Sequence, residues 1–206
     1  QLSENSGERR RVAGAWMNLG TVAGVQNRLE DARTNFQRCY DIARASGDRR
    51  LQAQAIDNLG LGEMMMENYE LATTYFSRSL DLMRELGFQR GLANTLVNMG
   101  HVATALTDHE AARNQYRQGL AQAESIGNAP IMMECLAGLA RIHPDPAQAA
   151  EVVGFILEQK ATTGEARQIA NETLSQHAAT LDETARDAAL ERGKHLELVE
   201  VIATLT

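Results

Sequence analysis

The sequence is poor in aromatic residues, which make up 4% of its 206 residues, and it contains only three prolines. Runs of β-branched residues are scarce, whereas Ala, Leu, Glu, Gln and Arg are abundant. This composition favours helix over strand. Because 44% of the residues are hydrophobic and 23% are charged, the chain can bury a core. We therefore predict a folded, all-α protein.

Cysteine is scarce, and long apolar runs and a surplus of positive charge are missing. The two cysteines, Cys39 and Cys135, form no CxxC pair, which argues against a zinc site or a disulfide framework. No apolar run approaches the roughly 20 residues that a membrane span needs, and no signal-peptide pattern is present. A net charge of −7 argues against a nucleic-acid-binding surface. We expect a cytoplasmic protein without direct membrane or nucleic-acid contact.

Catalytic signatures are absent as well. The five histidines form no HExxH pattern and no Cys/His ligand spacing, and no serine is flanked as in GxSxG. No phosphate-binding GxxxxGK[ST] loop occurs. We predict that the chain is not an enzyme and that it binds neither a metal nor a cofactor.

What the sequence does contain is a repeat of forty residues. Glycine recurs at Gly7, Gly47, Gly87 and Gly127. After each of the first three glycines the same order follows: a bulky apolar residue, a Leu-Gly or Met-Gly pair, an alanine, an aromatic residue and a small residue. In the first repeat these positions are Trp16, Leu19, Gly20, Ala32, Phe36 and Cys39.

Each repeat contains two amphipathic helical faces. Residues 16, 19, 20 and 23 lie on one side of a helix, and residues 32, 36, 39, 40 and 43 lie on one side of a second helix. Polar, turn-favouring residues separate the two faces, at 26–28, 67–68 and 107–108. Each repeat is therefore predicted to be a helical hairpin, in which Leu19 and Gly20 pack inside and the small residues let the backbones approach closely.

This pattern resembles the tetratricopeptide repeat, whose signature is an aromatic residue, Leu-Gly, Ala, a second aromatic and a small residue. The repeat here has 40 residues rather than about 34, and glycine replaces the proline that usually follows the second helix. The resemblance implies a right-handed α-solenoid of helical hairpins with C-terminal capping helices.

The register predicts six segments. His143 to Pro146 shorten the first helix of the fourth repeat, and two short helices separated at Gly193 end the chain. Residues 1–6 resemble the end of a preceding second helix, so we expect further repeats upstream. The segments are 1–6 as the end of a preceding repeat, 7–46, 47–86 and 87–126 as repeats, 127–163 as a degenerate repeat, and 164–206 as capping helices.

The fourth repeat and the tail carry a second resemblance. AAEVVGF at 149–155 and LDETARDAALERGKHLELVEVIATL at 181–205 resemble the C-terminal region of large bacterial signal-transduction ATPases and transcriptional regulators of the LuxR-tailed and maltose-regulator-like kind. In that group a nucleotide-binding switch domain precedes such a helical array. The resemblance implies a sensor or scaffold arm.

The faces of the first helices that point away from the hairpin core are predicted to line a partner-binding groove. Val97 lies on this face, and the predicted groove residues are Met17, Asn18, Thr21, Gln54, Asp57, Asn58, Leu61, Met65, Asn94, Asn98, His101 and Arg141.

Asn18, Asn58 and Asn98 recur on this face at the forty-residue spacing. An amide can donate and accept, so such a ladder can pair with the backbone of an extended protein or peptide partner. The alternative is that each asparagine bonds a neighbouring helix and fixes the stacking. At the level of function, a small-molecule sensing domain and a structural spacer or homo-oligomerisation surface stay open beside the peptide-binding module.

Overall fold

The computed structural model describes residues 2–178 and 180–205, and this part of the chain consists of helices and turns without a strand. The all-α prediction is confirmed. The helices are α1 (Leu2–Val25), α2 (Leu29–Ala45), α3 (Arg49–Met65), α4 (Tyr69–Glu85), α5 (Gln89–Ala105), α6 (His109–Ser125), α7 (Ala129–Arg141), α8 (Pro146–Glu158), α9 (Gly164–His177), α10 (Glu183–Lys194) and α11 (Leu198–Thr204). None of the helices in this part of the chain combines the length and apolarity that a membrane crossing requires.

A turn of three residues recurs every twenty residues, because α2 to α6 are each 17 residues long. The middle residue of each turn has a left-handed backbone: Asn27, Glu67 and Thr107 within hairpins, and Gly47, Gly87 and Gly127 between them, with φ between 57° and 71°.

The turn at Gly47 shows how these connections work. The amide of Gly47 donates to the Arg44 carbonyl at 3.2 Å and that of Asp48 donates to the Ala43 carbonyl at 2.9 Å, which is the Schellman pattern that ends a helix. The Asp48 side chain then accepts from the amide of Leu51 at 3.0 Å and so begins α3. One turn therefore ends a helix and caps the next.

The chain divides into two compact units, Gln1–Val102 and Ala103–Thr206. In the first unit the predicted close approach inside the hairpins is confirmed. A Cβ on Gly20 would lie 2.5 Å from the Phe36 ring, and one on Gly60 would lie 2.8 Å from the Phe76 ring. The glycines therefore recur because aromatic rings of the second helices occupy the space beside them.

Leu19 is a correction to the sequence analysis, because it is 51% exposed whereas its equivalent Leu59 is 3% exposed. Leu59 packs against Ala23 and Phe36 of the first hairpin. Within the described residues no equivalent contact from another hairpin covers Leu19. The backbone also differs at this end: α1 continues through Gly7, which has no left-handed turn of the kind found at Gly47.

The second unit contains hairpins and the C-terminal helices. Tyr116 of α6 packs over Gly138 of α7. The helices α9, α10 and α11 all contact α8, and α9 also contacts α7. The prediction that Gly193 separates two helices is wrong, because α10 runs through Gly193 to Lys194. The Cα of Gly193 faces the carbonyl of Glu151 on α8. Gly154 of α8 faces Leu190 in the same way, so paired glycines let the two backbones touch.

Candidate functional site

The predicted groove residues of the first unit come from α1, α3 and α5, the first helices of three successive hairpins. Five of these residues line one cavity of about 190 Å³. They are Met17 from α1, Gln54, Asp57 and Asn58 from α3, and Asn94 from α5. Side chains forty residues apart in sequence are thus brought together in one site.

The three ladder asparagines differ from one another. The Asn58 amide donates to the Met17 sulfur at 2.9 Å and so joins α3 to α1, which is the stacking role that the sequence left open. Asn18 is exposed and Asn98 is half-buried. Neither of these two amides makes a hydrogen bond within the described part of the chain, so both remain available to a partner.

Asp57 is the ionisable residue of the cavity. It is partly buried, and its Oδ1 accepts a hydrogen bond of 2.6 Å from the Thr95 hydroxyl on α5. Thr95 is fully buried. Burial raises the pKa of the Asp57 carboxyl from 3.8 to about 6, and the Thr95 hydrogen bond partly opposes this shift. Within the described residues the carboxylate makes no ion pair. Its raised pKa makes it less acidic than an exposed aspartate.

The remaining wall of the cavity consists of Met83, Phe88 and Gly91, which are not among the predicted groove residues. A Cβ on Gly91 would lie 2.6 Å from the Met83 sulfur and 2.7 Å from the Phe88 ring, so this glycine makes room for both side chains. At the rim, the Arg50 guanidinium stacks over the Phe88 ring, 4.0 Å from its centroid.

Departures from the repeat could have indicated this site. Asp57 occupies the position that holds Met17 and Val97 in the neighbouring repeats. Thr95 and Phe88 likewise replace the residue types found forty residues before them, Ala55 and Asp48. Asp57 and Phe88 line the cavity, and Thr95 bonds to Asp57 from α5.

The other predicted groove residues of this unit lie outside the cavity. The Thr21 hydroxyl donates to the carbonyl of Met17 on its own helix at 3.1 Å, and Leu61 packs against the buried Phe76 cluster. Met65 is 45% exposed and His101 is half-buried. Val97 is a correction, because it is buried and 3% exposed rather than part of an open face.

Arg141 belongs to the second unit. It is half-buried at the end of α7, and its guanidinium lies 3.4 Å from a carboxylate oxygen of Glu172 on α9. Both residues line an open depression of about 750 Å³ formed with the exposed side of α9. Arg141 is therefore engaged within its own unit.

Neither metal ligation nor thiol chemistry is indicated in the described part of the chain. No group of three or more His, Cys, Asp or Glu side chains there is placed to bind a metal ion. Cys39 and Cys135 are buried free thiols. Burial raises the pKa of both thiols, that of Cys39 to about 11, so they are protonated and poorly nucleophilic at neutral pH.

Comparison with known families agrees with the hairpins and turns described above. The family model for the tetratricopeptide repeat matches residues 11–85 and, in a second overlapping match, residues 52–125. The chain belongs to the tetratricopeptide repeat family. The residues that line the cavity all lie within the matched residues. A search of curated protein sequences gives no match.

Two solved structures resemble this tetratricopeptide repeat chain. Aspartyl phosphate phosphatase F from Bacillus subtilis superposes with a TM-score of 0.70 at 18% identity over 91% of this chain and 50% of its own. This chain thus spans half the length of the phosphatase. BtubC (BKLC) from P. vanneervenii superposes with a TM-score of 0.57 at 14% identity over 100% of this chain and 92% of its own. At these identities the likeness establishes the fold.

Proposed function

We propose that this tetratricopeptide repeat chain is a non-catalytic module that binds a protein or peptide along the first helices of its first unit. The observation that carries the proposal is the cavity in which α1, α3 and α5 present polar side chains side by side. The exposed Asn18 and half-buried Asn98 extend this polar surface on α1 and α5. Asn58 and Asp57 also join neighbouring helices, whereas the side chains of Asn18 and Asn98 make no hydrogen bond within the described residues.

An extended peptide suits this arrangement in chemistry and in spacing. Each amide offers a donor and an acceptor, which a peptide backbone can satisfy whatever its sequence. Packed helices lie roughly 8–10 Å apart, whereas an extended chain rises roughly 3.3 Å per residue. A bound peptide would therefore meet a new helix about every third residue.

We further propose that the module is the sensor or scaffold arm of a larger bacterial transcriptional regulator or signal-transduction ATPase. The support is the resemblance of the fourth repeat and the tail to the C-terminal region of such proteins. The gene that encodes this chain is then expected to encode a nucleotide-binding switch domain as well. Sequencing the full reading frame tests this, and a frame that encodes repeats alone would contradict it.

Removing the amides of Asn18 and Asn98 tests peptide binding separately from stacking, because neither amide bonds within the described chain. Peptides of twelve random residues are selected by display on the folded protein and measured by fluorescence polarisation. The double variant Asn18→Ala with Asn98→Ala should bind the selected peptides at least about tenfold more weakly, since two hydrogen bonds of roughly 1 kcal/mol each are lost.

The matched control is Asn114→Ala, which removes an exposed amide from α6 instead. Its peptide affinity should equal that of the wild type. The melting temperature of the double variant should also be unchanged, since it loses no internal bond. Equal affinity of all three proteins would show that the asparagines do not contact the peptide, and a selection that yields no peptide would contradict the module itself.

A further inference from the structure

The cavity of the first unit is smaller than the pockets of drug-sized ligands and large enough for one side chain. Its volume of about 190 Å³ lies below the roughly 300–1,000 Å³ of pockets that take drug-sized ligands. It is also much larger than a single water molecule, whose share of liquid volume is roughly 30 Å³. Its size suits the side chain of one residue.

The cavity carries an uncompensated negative charge. Of its lining residues Asp57 alone is ionisable, and its interaction within the described residues is the hydrogen bond from Thr95 to Oδ1. No cation in the described part of the chain lies within 4 Å of it; the Arg50 guanidinium is stacked on Phe88 at the rim. A partly buried carboxylate without a cationic partner is unfavourable, and a ligand that supplied the cation would relieve this cost.

The remaining lining residues fit the other parts of a long basic side chain. The amides of Gln54, Asn58 and Asn94 can accept hydrogen bonds from an ammonium or a guanidinium group. The thioethers of Met17 and Met83 offer deformable apolar surface for an aliphatic stem, and the ring of Phe88 lies beside them. An acidic side chain would meet the charge of Asp57, and a purely apolar one would leave the carboxylate and the amides unpaired.

We propose that this cavity is the subsite for one basic side chain, lysine or arginine, of the peptide that binds along α1, α3 and α5. The head group pairs with the free oxygen of Asp57, and the aliphatic stem lies against Met17 and Phe88. This inference rests on the proposed function and specifies its ligand. Asp57 then determines which peptides bind, whereas Asn18 and Asn98 hold the peptide backbone.

The first experiment tests the cavity without any peptide. Arginine and lysine blocked as N-acetyl methylamides are titrated into ¹⁵N-labelled protein, with blocked glutamine and norleucine as neutral controls. The two cations should shift the side-chain amide signals of Asn58 and Asn94 in a saturable way, and the neutral compounds should not. The shifts should vanish in Asp57→Asn and persist in Asp41→Asn, which neutralises an exposed aspartate on α2. Equal shifts with the neutral compounds, or retained shifts in Asp57→Asn, would overturn the proposal.

The second experiment uses the displayed peptides and separates the inference from the proposed function. Peptides selected on the wild type should share a basic residue, and its replacement by norleucine should weaken binding at least tenfold. Asp57→Asn should weaken the parent peptide by a similar factor and should not weaken the norleucine peptide further, since the two changes remove the same contact. Selected peptides without a basic residue would uphold the module and refute the subsite. A selection that yields no peptide would refute the module, and the titration would still decide the subsite.

Discussion

Asp57 carries its charge at a position that opposes the stability of the free fold. It stands where the neighbouring repeats have Met17 and Val97, and it faces a cavity in which Thr95 satisfies one of its oxygens. Natural proteins retain such costs at functional sites, because the group that destabilises the empty site contributes to binding. A substitution at Asp57 should therefore separate stability from binding.

Asp57→Asn should make the free protein more stable at pH 7 by about 2 kcal/mol. Burial raises the pKa of Asp57 from 3.8 to about 6, and each pKa unit costs roughly 1.4 kcal/mol. The expected gain is smaller than the full product because Asp57 is only partly buried and solvent screens its charge. The folded pKa lies above the unfolded one, so the folded chain binds the proton more tightly. Stability contributed by Asp57 is fully present below pH 4 and falls as the pH rises to about 6. Urea unfolding of both proteins at pH 4 and pH 7 measures the difference, which should fall to about 0.4 kcal/mol at pH 4.

The control for this measurement is the exposed Asp41 of α2. Its replacement by asparagine should leave the free energy of unfolding nearly unchanged at both values of pH. A less stable Asp57→Asn at pH 7 would show that its surroundings stabilise the carboxylate rather than destabilise it.

The helices of both units depend on glycine at two kinds of place, and the physical reasons differ. Gly20 and Gly60 lie against aromatic rings, which can shift slightly. Gly154 and Gly193 lie against the backbones of α10 and α8, and a backbone inside a helix has no alternative rotamer. The crossing of α8 and α10 should therefore be the least tolerant contact in the second unit.

Gly193→Ala should lower the free energy of unfolding of the second unit by about 2 kcal/mol or more, since its Cβ would overlap the Glu151 carbonyl. Gly164→Ala is the control, because nothing lies within 4 Å of a Cβ at that position. Thermal unfolding followed by circular dichroism compares the two. If both variants melted alike, the helices would not approach as closely as described.

The turns within hairpins place non-glycine residues in a left-handed backbone, at Asn27, Glu67 and Thr107. This conformation is most strained for a β-branched residue and least for asparagine. Thr107→Gly should therefore stabilise the protein by about 0.5–1 kcal/mol, Glu67→Gly by less, and Asn27→Gly hardly at all. Chemical denaturation of the three variants gives the order, and a larger gain at Asn27 than at Thr107 would contradict it.

At the scale of the molecule, the positions of the turns were predictable from adjacent residues. The burial of a side chain was not, because it depends on contacts with another hairpin. Polar residues predict the turns at 26–28, 67–68 and 107–108, because each turn depends on a few adjacent residues. The forty-residue repeat places Leu19 and Leu59 at equivalent positions. Leu59 is nevertheless buried against the first hairpin, whereas Leu19 is exposed.

Part of the cavity lining lies among the residues that the sequence assigns to the groove. Met17, Asp57 and Asn94 lie on the faces of α1, α3 and α5 that helical periodicity assigns to the groove. The contact between Asp57 and Thr95 joins residues 38 positions apart, and the contribution of Phe88 depends on the room left by Gly91. Such pairings follow from the packing of successive hairpins, which no single repeat specifies.

Within the first unit α1 packs on α2, α2 on α3 and α3 on α4, so each helix is supported by helices close to it in sequence. A chain built in this way can open gradually, one hairpin after another, because the loss of an outer hairpin leaves the inner ones intact. A peptide held across α1, α3 and α5 would join three helices of the first unit, and their opening would then become one cooperative event. Occupancy would thus change how the first unit unfolds as well as how stable it is.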